Sequence, residues 1–331
     1  MPSHGAGLAM GVEETSSHPD VVEWCSLPGE ELRLAWGLYE HHETSDERSG
    51  ALVIACVDQS EGLRLRHHAT VESPGVYDLA WRPRSFVGET GAALAACCAD
   101  GGLRLHGLSG ELLQRCQLSE QILTHLCWSG TRLAAVGQDG RAHVLDLGES
   151  AKVVACRQQH ELEAWCVELA ESLVLTGADD SYLVAWDPRS PEPAWRNRSH
   201  EAGVTALALN PHDGSELLTG SYDERLRLFD LRQMKSPLAS SERLGDGAYQ
   251  LSWHPFCPGL VAVAAMRRGF PIFWVRGGFE KADAYCEDAE EGCHGSLGYG
   301  ISWQFSESRP YMAASASFYD NSVHLWTAQI A

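Results

Sequence analysis

Thr176–Asp187, TGADDSYLVAWD, and Thr219–Asp230, TGSYDERLRLFD, are two copies of one pattern. Each runs threonine, glycine, a turn carrying an aspartate, an alternating strand, an aromatic residue and a closing aspartate. SFYDNSVHLW, Ser317–Trp326, repeats the second half, and AVGQDGRAHVLDL (Ala135–Leu147) and CCADGGLRLHGL (Cys97–Leu108) are weaker copies. The turn aspartates Asp100, Asp139, Asp180 and Asp223 are 39, 41 and 43 residues apart by subtraction of their numbers. A period of roughly 40–45 residues is that of a four-stranded unit repeated around a ring. Such a unit cannot cover its own faces, so copies stack side by side and closure of the ring leaves only short edges.

The repeat predicts one all-β domain over 1–331 and resembles that of the WD-repeat family, which implies a seven-bladed WD-repeat β-propeller. Blades begin near Val21, Val76, Ile122, Ala164, Val204, Ala248 and Gly298. His160, Thr176, Asp180 and Trp186 match the family's histidine–threonine–aspartate–tryptophan tetrad, and His200, Thr219 and Asp223 match it with Phe229 in the aromatic place. The first blade is expected to carry a long loop over His41–Gly50. The sixth has Met266-Arg267-Arg268 where a turn aspartate belongs. The sequence stops after the third strand of blade seven, so residues around Leu8–Ser16 are expected to supply the fourth and latch the ring, with 1–20 as latch and lead-in. Gly277–Ser296 reads as an outer strand followed by a solvated acidic loop.

Composition narrows the partners. Lysine plus arginine number 25 against 45 aspartate plus glutamate, a net charge of −20. Phosphate backbones are held by clustered positive charge, so direct nucleic-acid binding is not expected. The 11 cysteines are scattered without a CxxC pair, as expected for free thiols in a reducing compartment. Cys286, Cys293 and His294 fit no standard zinc spacing, so no metal is expected. The start, MPSHGAGLAMGVEETSS, has no basic or apolar leader segment, and no apolar run is long enough for a membrane span. A cytoplasmic monomer without cofactor or membrane contact is the expectation.

Hydrolase motifs such as GxSxG and HExxH are missing from the sequence, and a propeller fold implies no particular function. A non-catalytic adaptor for protein complexes or trafficking is one reading. VEWCSL, HELEAW, HEAGVTALALNPHDGSELLTGSYDERLRLFDLRQMKSPLA, SWHPF, SLGYGISW and SFYDNSVHLW give the other. Together they resemble the diphthine methyl ester hydrolases of diphthamide biosynthesis, most densely from His160 to Phe256 and again over Ser296–Trp326. The resemblance implies a carboxylic ester hydrolase with elongation factor 2 as protein substrate. It would release methanol from a methylated histidine derivative.

Loops entering each blade and the turns between second and third strands share one face of a WD propeller. That places His160, Glu163, Asp179, His200, Tyr222, Tyr299 and Tyr319 on one rim. Ester hydrolysis needs a base and oxyanion donors. The expectation is His160 with Glu163 as the base pair and Tyr222, or Tyr319, as donor. Asp179, His200, Tyr299 and Tyr319 would bind the substrate. Each also has a structural reading: His160 and His200 as tetrad histidines, Glu163 as a solvated carboxylate, the tyrosines as protein contacts. Cys166 sits within a strand, the position of a buried thiol rather than a nucleophile.

Overall fold

The computed structural model describes residues 8–58, 63–86, 90–287 and 292–330. Among them are 28 strands and no helix, arranged as seven antiparallel four-stranded sheets. Six sheets are consecutive in sequence. The seventh takes Gly298–Trp303, Tyr311–Ser317 and Ser322–Ala328 from the C-terminus and Leu8–Glu14 from the N-terminus. Val12 lies opposite His324, Glu13 opposite Val323 and Glu14 opposite Ser322. This is the seven-bladed propeller of the repeat reading, closed by its N-terminal strand.

Strands buried on both faces read as near-continuous apolar runs. The second strand of blade two, Leu94–Cys98, is buried at every residue, as is the third, Gly102–His106. The core is therefore not one centre but a set of clusters between neighbouring blades. Leu34, Trp36 and Val53 of blade one pack on Ala314, Val323 and Leu325 of blade seven. Leu79, Trp81 and Leu94 of blade two pack on Val21, Leu52 and Ile54 of blade one. Full burial of one such side chain stabilises by roughly 1.5–3 kcal/mol. Tryptophans at or near the ends of four inner strands add direction: Trp81, Trp128, Trp253 and Trp303 donate their indole N–H to Glu23, Ala80, Ala208 and Ser252 carbonyls of the preceding blade.

The turn after each repeat aspartate needs a left-handed residue. Gly101 and Gly140 supply it after Asp100 and Asp139. Ser181, Glu224 and Asn321 adopt it after Asp180, Asp223 and Asp320, with φ of 66°, 67° and 52°. In the sixth blade Met266 itself is left-handed, φ 48°, and bridges to Gly298 of the next blade, and Asp246 accepts the Arg267 N–H at 3.3 Å, so this turn is held by backbone pairing and by an aspartate from outside the turn.

Three local expectations change. His41–Gly50 is not a loop: strands Arg33–His42 and Glu47–Asp58 run on as one long hairpin closed by His41–Asp46 and His42–Ser49 hydrogen bonds. Trp186 does not complete the fourth tetrad, because its indole N–H donates to Ser190 O at 3.1 Å. His294 is not in solvated loop. It bonds Ser315 and Ser322 at 2.8 and 3.0 Å, while Trp326 donates to the same Ser315 hydroxyl, which makes a complete network in blade seven.

Candidate functional site

The seven inner strands line the central channel, and six carry a register break near their start. The breaks lie at Pro19/Val21, Val76/Asp78, Leu123/His125, Ala164/Cys166, Val204/Ala206 and Gly298/Gly300. A bulge leaves one residue out of the ladder and re-aims its side chain. The residues left out are Asp20, Tyr77, Thr124, Trp165, Thr205 and Tyr299. In blade six Tyr249, just before the strand Gln250–Trp253, takes the same place. All seven line one cavity at the channel mouth. Thr124 and Thr205 donate their hydroxyls to the Ala164 and Ala248 carbonyls of the next blade. The chemistry left at the mouth is one carboxyl, three phenols and one indole.

Beneath this ring, polar side chains join blade to blade. Asp78 accepts the Leu126 N–H at 2.8 Å, His125 Nδ1 the Val167 N–H at 3.3 Å, Gln250 the Ile301 N–H at 2.6 Å and Ser302 the Trp24 N–H at 3.1 Å. Each satisfies a backbone donor that would otherwise face the channel. Accepting at Nδ1 leaves the His125 proton on Nε2, which lies 3.9 Å from Asp78, so His125 has no free lone pair for base catalysis.

Asp20 is different. It is only 5% exposed, lines the cavity, and makes no side-chain hydrogen bond among the described residues. Burial pushes its carboxyl up to about 8, and the Asp78 charge adds to the effect. Three residues on, Glu23 is raised to about 8 by burial and by Asp78, and Glu168 of blade four to about 7 by burial. The Trp165 indole nitrogen is buried without an acceptor. The cavity therefore holds both an unpartnered acid and an unpartnered donor.

An aromatic rim surrounds it. Tyr249 and Tyr299 rings lie 4.3 Å apart, Tyr299 and Phe318 5.5 Å, Phe318 and Tyr319 4.9 Å, and Tyr39 and Tyr77 4.8 Å. Tyr319 is 64% exposed and Tyr222 37%. Tyr222 sits between two glycines that leave it room: a Cβ on Gly247 would come within 2.8 Å of its ring, and one on Gly203 within 3.2 Å of it and 2.5 Å of Asp179. Asp179 thus borders Tyr222, whose phenol is pushed up by burial and then by the Asp179 charge.

Of the residues singled out from sequence, Tyr222, Tyr299, Asp179 and Tyr319 gather at this rim. Two do not act as expected there. His160 is enclosed, with Nδ1 on Asp180 at 3.1 Å and Nε2 on Thr176 at 2.8 Å. Both nitrogens are engaged within its own blade, which excludes a base pair with Glu163. His200 likewise bonds Asp223 at 3.0 Å and Thr219 at 2.7 Å, and burial lowers its pKa, so it is framework rather than substrate contact. Glu163 is half-buried, and its carbonyl accepts the Asp179 N–H at 3.0 Å. Cys166 is fully buried, and burial raises its thiol far above the ordinary range. Asp20, Tyr77, Trp165 and Tyr249 were missed. The signal lay in the repeat: the second residue of PDVV, VYDL, LTHL, AWCV, VTAL, AYQL and GYGI is the residue at the channel mouth in every blade.

The family of the WD domain, G-beta repeat, matches residues 192–230. Along almost its whole length the chain aligns with diphthine methyltransferases. It is 27% identical to that of Homo sapiens over 98% of this chain and 80% of the relative. It is 26% identical to that of Schizosaccharomyces pombe over 95% and 99%. The chain is a seven-bladed propeller similar to the diphthine methyltransferases. That of Mus musculus is 28% identical over 93% of the chain and 72% of its own length. Among solved structures, a chain of the mitotic checkpoint complex superposes with a TM-score of 0.76 over 99% of this chain and 97% of that one. At 15% identity it speaks for the propeller fold alone.

Proposed function

We propose that the chain is a carboxylic ester hydrolase of diphthamide biosynthesis. It removes the methyl ester of methylated diphthine on elongation factor 2 and gives diphthine and methanol. The observation that carries this is the near full-length similarity to diphthine methyltransferases of animals and yeast. The channel mouth supports it with a group for each need of ester cleavage.

In its ionised form Asp20 takes a proton from water as the water oxygen attacks the ester carbonyl. The Trp165 N–H and the phenols of Tyr77, Tyr249 and Tyr299, which line the same cavity, serve as donors to the oxyanion. On collapse the C–O bond to methoxide breaks, and Asp20 returns the proton to form methanol. A positioned base contributes roughly 10²–10⁴-fold and one oxyanion donor roughly 10²–10³-fold. Tyr222, Tyr319 and Asp179 on the rim receive the protein around the modified side chain. A surface of net charge −20 suits a basic, ribosome-facing substrate tip. The enzyme acts as a cytoplasmic monomer.

The relatives' name speaks of methyl transfer, and the two chemistries part in heavy-oxygen water. Attack at the acyl carbon puts the label in the diphthine carboxylate. Attack at the methyl carbon puts it in methanol. Label in the carboxylate with no added methyl donor is the expected result; label only in methanol, or no turnover by folded protein, contradicts the proposal.

A further inference from the structure

We infer that the central channel is the proton exit of the site: the proton that ester hydrolysis leaves over passes from Asp20 by way of Asp78 to Glu23 and Glu168 and leaves at the opposite face of the ring. The inference rests on the hydrolase reading and adds to it a route and two residues.

The alternation of the inner strands builds the route in tiers. Side chains two residues apart on a strand point the same way, about 7 Å further along. The mouth tier holds Asp20. One residue beyond the mouth position, blades two and three carry Asp78 and His125. Two residues further, blades one and four carry Glu23 and Glu168. A cavity of about 240 Å³ behind the mouth is lined by Asp78, Glu23 and Glu168 and extends to Trp81, Pro83 and Trp128 at the far ends of the strands. Pro83 and Trp128 are half-buried there. This cavity shares Asp78, His125, Thr205, Tyr249 and Gln250 with the mouth, so the second tier borders both spaces. A polar cavity of this size takes up water, and bridging waters span the gaps between tiers.

The reaction needs such an exit. Ester and water give methanol and a carboxylic acid, and Asp20 hands the proton it took from water to methoxide. The acid's own proton is left over. At neutral pH its O–H bond breaks, the electron pair stays on the new carboxylate, and the proton moves to Asp20. Asp20 is 5% exposed, and the bound substrate closes the mouth in front of it. It must lose that proton inward before it can act again. No lysine or arginine lines either cavity among the described residues, so no fixed positive charge stands in the way. Tyr77 and Tyr249 beside Asp20, Cys97 beside Asp78, and Cys127 and Cys166 beside Glu168 are all raised by burial and keep their own protons. His125 already accepts at Nδ1 and does not intercept. No three acid, histidine or cysteine side chains converge as metal ligands among the described residues. Burial brings Asp20 and Glu23 to about 8 and Glu168 to about 7, close enough together that no carboxyl traps the proton.

The test measures turnover of methylated diphthine-bearing elongation factor 2 in ordinary and in heavy water. It compares full-length wild type with the double variants Glu23→Gln/Glu168→Gln and Glu23→Asp/Glu168→Asp, each shown to be folded by its thermal melt. The glutamine pair should lower kcat at least about tenfold with KM unchanged, and its heavy-water isotope effect should exceed that of wild type, because proton removal becomes the slow step. The aspartate pair keeps both carboxyls and should restore rate and isotope effect together. Each single glutamine variant should show the same signature with a smaller loss, which keeps the test open if the double variant does not fold. A glutamine pair that turns over like wild type overturns the exit. So does a slowed glutamine pair with an unchanged isotope effect, or an aspartate pair as slow as the glutamine pair. Turnover by wild type with any of these results sinks the exit alone; no turnover by folded wild type sinks the hydrolase reading and the exit with it.

Discussion

Two carboxyl groups compete for the role of base, and their surroundings separate them. Glu163 lies half-buried on the rim, ahead of the inner strand that Ala164 begins. Asp20 is enclosed in the cavity with no partner and titrates near 8. A base is most useful when its pKa lies near the working pH and its site excludes water. Asp20→Asn is therefore expected to lower kcat by roughly 10²–10⁴-fold in a folded protein, whereas Glu163→Gln leaves it within about twofold. Trp165→Phe removes the unpartnered donor and lowers kcat about 10²-fold with KM little changed. His160→Ala takes the opposite course. It leaves Asp180 and Thr176 without their partner and costs about 1–3 kcal/mol in urea denaturation, while turnover per folded molecule is unchanged. His160 and His200 were legible in sequence as tetrad residues, because the tetrad is written at fixed spacing. Asp20 was not, because nothing in PDVV marks an acid as buried until six other blades place their channel-mouth residues around it.

At the scale of elements, the bulge and the latch determine the site. The bulge lets an inner strand bury its apolar face between blades and still present one side chain to the channel mouth. The seven blade positions were readable from the period, yet the out-of-ladder residue has no signature of its own and varies from aspartate to threonine, tyrosine and tryptophan. The latch was readable by counting strands: three C-terminal strands in blade seven left a fourth place, and Leu8–Glu14 fills it. Its ladder is the seam through which the ring is joined, and it precedes His18–Trp24, the strand that carries Asp20. Removing residues 1–18, latch and lead-in, is expected to lower Tm by roughly 10 °C or more, since about 1 kcal/mol moves a domain above 150 residues by some 2–4 °C. Differential scanning calorimetry reads this, and an unchanged Tm means the ring does not depend on the strand.

For the whole molecule, the channel acids and the tetrad acids give opposite pH trends. Asp20 and Glu23 keep their protons to about pH 8 and Glu168 to about 7 in the folded chain, while in the unfolded chain they release them near 4. Between those values the folded state binds more protons, so stability falls as pH rises, by about 1.4 kcal/mol per pH unit for each group. Asp320 works the other way. Burial is the largest influence and opposes its ionisation, but His294, 3.6 Å away, and the Gly295 N–H act together against it and hold the carboxyl at about 2. That stabilisation is present above pH 4 and is lost as pH falls through 2. Thermal melts should thus show a higher Tm at pH 6 than at pH 8, and Glu168→Gln should flatten the slope. A Tm that rises from pH 6 to 8 would show that the channel carboxylates are ionised in the folded protein.

The most direct test of the account is the mass of methylated diphthine-bearing elongation factor 2 after incubation with wild-type protein and, in parallel, with folded Asp20→Asn. Loss of one methyl ester with the wild type, methanol appearing in equal amount, and no change with the variant is the predicted result. An unaltered substrate mass with wild-type protein contradicts the enzyme, and equal demethylation by both proteins contradicts the site.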